Sequence, residues 1–418
     1  MDIFVYVNYV ISIIFIVCYS YQAILFVFVS LVRRAKPLPD APYRRYAVLV
    51  CARNESAVVR NLIESIQAQN YPQELIDTYV VADNCTDNTA ETARAAGAIV
   101  FERDNTSAKG KGHALTFLLN AITETHPDWP YDGYFIIDAD NLLDENYIRE
   151  MNKAFTGKYR ILTSYRNSKN YGDNWISAGH SLWYLREARY LNDARFTLRS
   201  SCAVSGTGFL VHRDVFRDNG GWTCHLLTED IEFTVSEILK GETIGYCRTA
   251  ILYDEQPIKF EQSWHQRMRW TKGSMQVLAK YGTGLFTGFF KKGRFSCFDM
   301  LMNLFPVALL SCICLVSNTI GIICGIAEGD GLVIVLFSLG ELAMNCYFTC
   351  FAMGLITCVT EWRQIHCGVL KKIFHTLTFP LYMLTFIPIF LTALVKKDVT
   401  WVPIAHTRSK RLKDVRTV

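Results

Sequence analysis

Charge of one sign is not in excess in this chain. Its 43 Lys and Arg against 39 Asp and Glu leave a formal net charge of +4 over 418 residues. So even a balance does not suggest a nucleic-acid partner. No segment repeats at a fixed period, and none is of low complexity. The 14 cysteines lack paired zinc spacing, and Cys312, Cys314, Cys324, Cys346, Cys350 and Cys358 lie in apolar runs. They read as small buried thiols in a reducing compartment, not as disulfides or metal ligands. His113, His180, His212, His225 and His265 are scattered without ligand spacing. The first apolar run has no basic head and no small-x-small cleavage site, which argues against a cleaved secretion signal.

Apolar residues are plentiful, at 50% of the chain, and unevenly spread. Ile3 to Val32 is almost uncharged, Cys51 to Trp270 has ordinary globular composition, and Phe298 to Val395 is again mostly apolar. Charge-poor runs of about twenty residues predict membrane spans. Residues 1–36 therefore read as a retained anchor whose basic flank (Arg33, Arg34, Lys36) places the adjoining domain in the cytoplasm. Residues 37–257 form this cytoplasmic α/β domain, and 258–297 amphipathic interface helices. Residues 298–397 make a C-terminal membrane region, and 398–418 a basic cytoplasmic tail. The expected location is the plasma membrane, in multi-pass form. Within 373–395, Pro380 and Pro388 and the lysines at both ends (Lys371, Lys372, Lys396, Lys397) favour a re-entrant or interfacial hairpin. Trp401, His406 and Arg408 then fold back as a lid.

Strand and helix alternate through the first half of the soluble region, which predicts a parallel sheet with helices on both faces. Tyr134 to Asp140 is its centre: an apolar run ending in Asp138-Ala139-Asp140. Carboxylates released at a strand's carboxyl end fit a hard divalent cation bridging a nucleotide diphosphate, although a polar turn has the same pattern. Asp83 ends an earlier strand and can accept hydrogen bonds from a base or ribose, whereas Asp87 and Asn88 fit turn and cap chemistry. Lys109 and Lys111 sit among glycines, where backbone N–H and ammonium groups can face a diphosphate. Gly206, Thr207 and Gly208 form a turn or strand start that a ligand can approach closely. Asp230 opens a predicted helix reaching Lys240. Gln266, Arg269 and Trp270 share one helix face, with a guanidinium for a diphosphate and an indole for a sugar ring.

Six motifs in order (Ala52-Arg53-Asn54-Glu55, Asp83, Lys109-Gly110-Lys111-Gly112, Asp138-Ala139-Asp140, Thr228-Glu229-Asp230 and Gln266-Arg267-Met268-Arg269-Trp270) resemble the membrane-embedded family 2 glycosyltransferases, which include cellulose, hyaluronan and poly-N-acetylglucosamine synthases. The resemblance implies a GT-A type, Rossmann-like α/β domain inserted between transmembrane helices. It implies a UDP-sugar donor held by Asn54, Glu55, Asp83, Lys109, Lys111, Asp138, Gln266 and Arg269. Mg²⁺ or Mn²⁺ sits on Asp140, with Asp138 beside it, and Asp230 is the base of an inverting transfer. The acceptor lies against Gly206, Thr207, Gly208 and Trp270.

The expected activity is processive synthesis and export of a β-linked polysaccharide, with UDP-glucose put ahead of UDP-N-acetylglucosamine. The alternative is transfer of one sugar to a membrane lipid. No appended regulatory domain and no Phe-x-Val-Thr-x-Lys motif of the bacterial cellulose synthases are present. With so small a membrane part, export implies a homodimer or an export partner.

Overall fold

The computed structural model describes residues 38–304, 316–324, 331–396 and 409–416, with isolated positions between 6 and 25 and at 313 and 399. For 331–339, 341 and 342 only the backbone is described. Most of the expected N-terminal anchor, the turn at Glu328–Gly331 except its last residue, and the lid residues Trp401, His406 and Arg408 lie outside them.

The α/β domain begins with β1 (Tyr46–Ala52), α1 (Val59–Gln67), β2 (Ile76–Asp83), α2 (Thr89–Ala95), β3 (Ile99–Arg103) and α3 (Lys111–Thr125). Then come β4 (Gly133–Asp138), β5 (Leu142–Leu143), α4 (Tyr147–Ala154) and β6 (Ile161–Ser168). Helix α5 (Trp175–Arg186) runs through a π-helical turn (Glu187–Asn192) into α6 (Asp193–Thr197). The domain closes with β7 (Phe209–His212), α7 (Arg213–Asn219), α8 (Glu229–Lys240), β8 (Ile244–Asp254) and the 33-residue α9 (Phe260–Lys292).

Side chains of successive strand residues point to opposite faces, so one apolar strand can feed two cores. Ala47, Leu49, Tyr134 and Ile136 join one cluster, roofed by α3, α5 and Tyr382. Tyr46, Val48, Val50, Phe135 and Ile137 join the other, under α1 and α4. Helices on both faces are as expected. The all-parallel sheet is not: the eight strands run in the order β3-β2-β1-β4-β7-β6-β8-β5. Strand β7 is antiparallel to both β4 and β6, and β5 is antiparallel to β8. The sheet is mixed because β6 and β8, which carry polar and charged residues, add a second half beyond the parallel β3-β2-β1-β4 core.

Register decides which side chains meet. Cys51 pairs with Asp138, Ala52 with Ala82, and Asp83 with Arg103, so the carboxyl ends of β1, β2 and β4 finish level. In the second half Leu142 pairs with Tyr253, which brings Asp254 beside the segment that carries Asp140. Neither Asn54 nor Ser56 caps α1, whose cap residue is Val58. Asn54 instead takes a left-handed φ of 57° and accepts a hydrogen bond from the Thr86 N–H at 2.8 Å.

After α9 come α10 (Phe295–Leu304), α11 (Gly331–Thr360), α12 (Val369–Leu384), α13 (Phe386–Val395) and a last turn, α14 (Leu412–Arg416). Among the described residues two helical stretches, Ala343–Thr360 and Val369–Val395, are long and apolar enough to cross a membrane. The second breaks at Thr385, where the ring of Pro388 clashes with the carbonyl three to four residues earlier. Arg267 on α9 repairs the break: Nη1 donates to Thr385 Oγ1 at 2.5 Å and to the Tyr382 carbonyl at 3.3 Å.

Candidate active site

The level strand ends open into a cavity of about 740 Å³. Its walls include Arg53 and Glu55 after β1, Asp83 after β2, Lys111 at the start of α3, and Asp138, Ala139 and Asp140 after β4. Gly206 before β7, Glu229 and Asp230 at the start of α8, and Gln266, Arg269 and Trp270 on α9 complete them.

At the β2 end, Asp83 is buried against the Arg103 guanidinium, and each side chain is only 7% exposed. Arg103 also donates to the Ala108 carbonyl at 2.7 Å, which ties the glycine-rich loop to the strand. Lys111 bridges the Asp138 carboxylate and the Gly206 carbonyl, the latter at 2.6 Å. Burial opposes the charge on Lys111, but Asp138 and Glu229 outweigh it and the ammonium's pKa is raised. A fixed cation thus stands between β4 and the Gly206 turn.

The acids after β4 meet a second carboxylate pair. Asn141 donates to both Asp140 (3.2 Å) and Asp254 (3.4 Å), and the Glu255 N–H reaches Asp140 at 3.3 Å. Burial pushes the Asp254 carboxyl up to about 6, the Asp140 carboxylate adds to the rise, and Arg166 opposes it. Among the described residues no cluster of three or more His, Cys, Asp or Glu side chains forms a ready metal cage. Asp140 and Asp254, linked through Asn141, are carboxylates whose repulsion a cation would relieve. This set fits a hard ion such as Mg²⁺ or Mn²⁺ that takes its other ligands from substrate and water.

Asp230 sits opposite. Burial raises its pKa, against Lys111 and Arg269, which favour the charged form. Glu229 beside it is pushed up to about 7, by burial first and by the Asp230 charge second. Gly206 separates this pair from Arg166. A Cβ placed there would lie 3.9 Å from Asp230 Oδ2 and 3.7 Å from Arg166 Nη1, and φ is +79°. Trp270 meets the rings of His180 (5.6 Å) and Tyr184 (6.1 Å) edge-on, which fixes its plane.

Not every expected residue reaches the cavity. Asn54 is exposed and spent on Thr86, and Lys109 is exposed on its loop. Thr207 and Gly208 are buried behind the wall. Thr207 Oγ1 accepts from the Asp138 N–H at 2.9 Å and donates to Asn141, so it braces the acidic strand end instead of meeting an acceptor. Gly208 packs under Leu252 and Ser164. Arg267, within the same motif as Arg269, is turned to α12 and α13 instead.

Sequence reasoning passed over Arg166, Tyr184, Asp254 and Glu255, all of which line the cavity. Arg166 Nε donates to Asp254 at 2.7 Å, Nη1 to the Ser205 carbonyl at 2.6 Å, and the guanidinium lies 3.8 Å from the centre of the Tyr184 ring. A signal existed for the acids: Ile251-Leu252-Tyr253-Asp254 repeats the apolar-run-then-carboxylate pattern of Phe135-Ile136-Ile137-Asp138.

The model of the family described as glycosyltransferase-like family 2 matches residues 42–273. The chain is 24% identical over 302 residues to a probable glycosyltransferase, YdaM, of Bacillus subtilis, covering 67% of this chain and 66% of that one. It is 25% identical over 276 residues to the β-monoglucosyldiacylglycerol synthase of Synechocystis (64% and 56% covered). To the poly-β-1,6-N-acetyl-D-glucosamine synthase of Staphylococcus epidermidis it is 24% identical over 249 residues (56% and 55%). The chain thus spans between about half and two thirds of the length of these curated relatives. Among solved structures, a mannosyltransferase of Pyrobaculum calidifontis in complex with GDP-Man and Mn²⁺ superposes with a TM-score of 0.59 at 14% identity, over 93% of this chain and 99% of that one. That likeness is one of fold: a GT-A type mixed α/β sheet.

Proposed function

The chain belongs to glycosyltransferase-like family 2, and on that footing we propose that it transfers a hexose from a UDP-sugar to an acceptor hydroxyl, with inversion at the anomeric carbon. One observation carries this reading: Asp83, Asp138, Asp140, Asp230, Arg269 and Trp270, spread over nearly two hundred residues, border a single cavity.

Asp83 and Glu55 receive the uridine end, and Lys111 and Arg269 face the diphosphate. Asp138 and Asp140 would hold a divalent cation, which neutralises charge on the departing diphosphate. Asp230 takes the proton of the attacking hydroxyl. Its burial makes the carboxylate a stronger base than one in water, as that role requires. Trp270 provides the flat apolar plate against which an acceptor ring or chain is oriented. Gly206 leaves space beside Asp230 for the hydroxyl that reacts.

UDP-glucose is placed ahead of UDP-N-acetylglucosamine as donor. Two acceptors fit the chemistry: the end of a growing β-linked polysaccharide, with processive elongation and export, or a membrane lipid that receives one sugar. Relatives of both kinds match.

The enzyme works at the plasma membrane with its catalytic domain in the cytoplasm, held by the N-terminal anchor and the C-terminal region. A re-entrant or interfacial hairpin over residues 373–395 belongs to the same proposal. In support, Lys371 Nζ donates to the Gly172 carbonyl at 2.8 Å, and at the other end Lys272 Nζ donates to the Lys396 carbonyl at 2.8 Å. The start of the segment therefore touches the catalytic domain, and its end touches α9.

The purified chain, incubated with UDP-glucose, UDP-N-acetylglucosamine or GDP-mannose and Mn²⁺, tests the reading by UDP or GDP release and by NMR of the product. A β-linked product from an α-linked UDP-hexose is expected. An α-linked product would overturn inversion, and no nucleotide release from any donor would overturn the transferase.

A further inference from the structure

Beyond Trp270 the cavity does not close. It continues between the π-helical turn, α8 and α10, where its walls are Leu191, Ala203, Leu227, Ile231, Met300 and Leu304. The polar side chains at this end are largely engaged with one another, the buried Thr228 hydroxyl excepted. Arg195 is 2% exposed and bonds Asp299 at 2.6 Å, Asn303 donates to the Asp299 carbonyl at 2.8 Å, and Glu187 accepts from the Ser205 hydroxyl. A glycan threading this arm would bury several hydroxyls per ring with few free partners, and an unpaired buried hydroxyl is unfavourable. A hydrocarbon chain loses nothing there.

The arm also leads somewhere. Ala203, Met300, Ile231 and Leu304 belong to one apolar cluster with Phe289. Phe289 in turn touches Phe290 at 4.8 Å and Phe298 at 4.9 Å. Phe286, Phe290 and Phe295 are 53%, 66% and 38% exposed, and Lys291, Lys292 and Arg294 stand beside them. Exposed aromatics with basic neighbours are the mark of a segment seated at a bilayer interface. Apolar packing is therefore continuous from the wall of this arm to a surface suited to meet lipid.

We infer that this arm is a binding site for the hydrocarbon portion of a lipid alcohol, whose hydroxyl is delivered past Trp270 to Asp230. The inference rests on the transferase reading and selects the lipid acceptor over the growing polysaccharide.

The experiment uses the full chain in phosphatidylcholine nanodiscs containing diacylglycerol with a photoactivatable diazirine on one acyl chain. After irradiation, peptides are mapped by mass spectrometry, and UDP-hexose turnover is followed with and without the diacylglycerol. Labelling within 226–231 and 300–304, with a monoglycosylated lipid as product, supports the site. Met300→Glu should lower that labelling at least tenfold while UDP binding, measured by calorimetry, persists. If this variant does not fold, the label map of the unaltered chain still decides. Label confined to the exposed faces of α11 and α12 around Phe348 and Leu370 overturns the inference. So does UDP-hexose turnover driven by a soluble β-glucan oligosaccharide and not by the lipid. If UDP binds but the arm is unlabelled, the lipid site alone fails; if the unaltered chain binds no UDP, the transferase reading fails with it.

Discussion

Protonation of the Glu229–Asp230 pair is the most sensitive lever on this site. Two carboxyls on consecutive residues at the head of α8 are both withdrawn from water, and both hold their protons more tightly than usual. For Glu229 the rise is from the ordinary 4.5 to about 7. At ~1.4 kcal/mol per pH unit, ionising this carboxyl costs roughly 3 kcal/mol more here than in the unfolded chain. Proton binding sets the sign. Between pH 4.5 and 7 the folded state holds a proton that the unfolded state has released, so the pair's contribution to stability is greatest at low pH and is lost as pH rises through 7. Activity has the opposite dependence, because the base must be ionised. We expect kcat/KM to fall about tenfold per pH unit on the acid side, below the raised pKa of Asp230. Glu229→Gln removes one of the two charges. It should stabilise the protein at pH 8 by about 1–3 kcal/mol, with little gain at pH 5. The assays are kcat/KM between pH 5 and 9 and urea unfolding at pH 5 and 8. A flat profile for the unaltered chain, together with equal stability of the variant and the unaltered chain at pH 8, would refute the assignment of a strained acid pair.

Two further perturbations have calculable directions. Gly208→Ala puts a Cβ 1.9 Å from Leu252 Cδ2 and 2.7 Å from Ser164 Oγ at a φ of +71°. Overpacking and left-handed strain together should cost about 2–5 kcal/mol in urea unfolding, and a loss under 1 kcal/mol would show that the turn before β7 is not fixed. Arg103→Met leaves the buried Asp83 charge without its partner, with an expected loss of about 3–5 kcal/mol and at least tenfold weaker UDP binding by calorimetry. Unchanged UDP affinity would remove Asp83 from the nucleotide site.

Much of this was legible in the sequence, and the limits have physical causes. Residues near one another in sequence announced themselves: apolar runs ending in Asp83 and Asp138 became strand ends, and Gln266, Arg269 and Trp270 share a helix face turned to the cavity. What pattern could not supply was register across the second half of the sheet. Asp254 stands by Asp140 because Leu142 pairs with Tyr253, and a pairing between segments over a hundred residues apart leaves no local trace. Strand β6 was obscured by its polar end, Arg166-Asn167-Ser168, whose side chains are satisfied only in the fold. Thr207 was expected at the acceptor because glycines flank it, yet its hydroxyl finds better partners in the Asp138 N–H and Asn141. Arg267, adjacent in sequence to the residues of the motif that face the cavity, repairs instead a helix that Pro388 had broken.

The central claim is that Asp230 removes the proton of the attacking hydroxyl in a site that binds the donor without it. Asp230→Asn keeps the shape of the side chain and removes its basicity. The rate of hexose transfer from UDP-glucose, measured beside UDP affinity on the same preparation, should fall by at least a hundredfold, about 3 kcal/mol in barrier, with affinity unchanged. Transfer within tenfold of the unaltered rate would contradict the account.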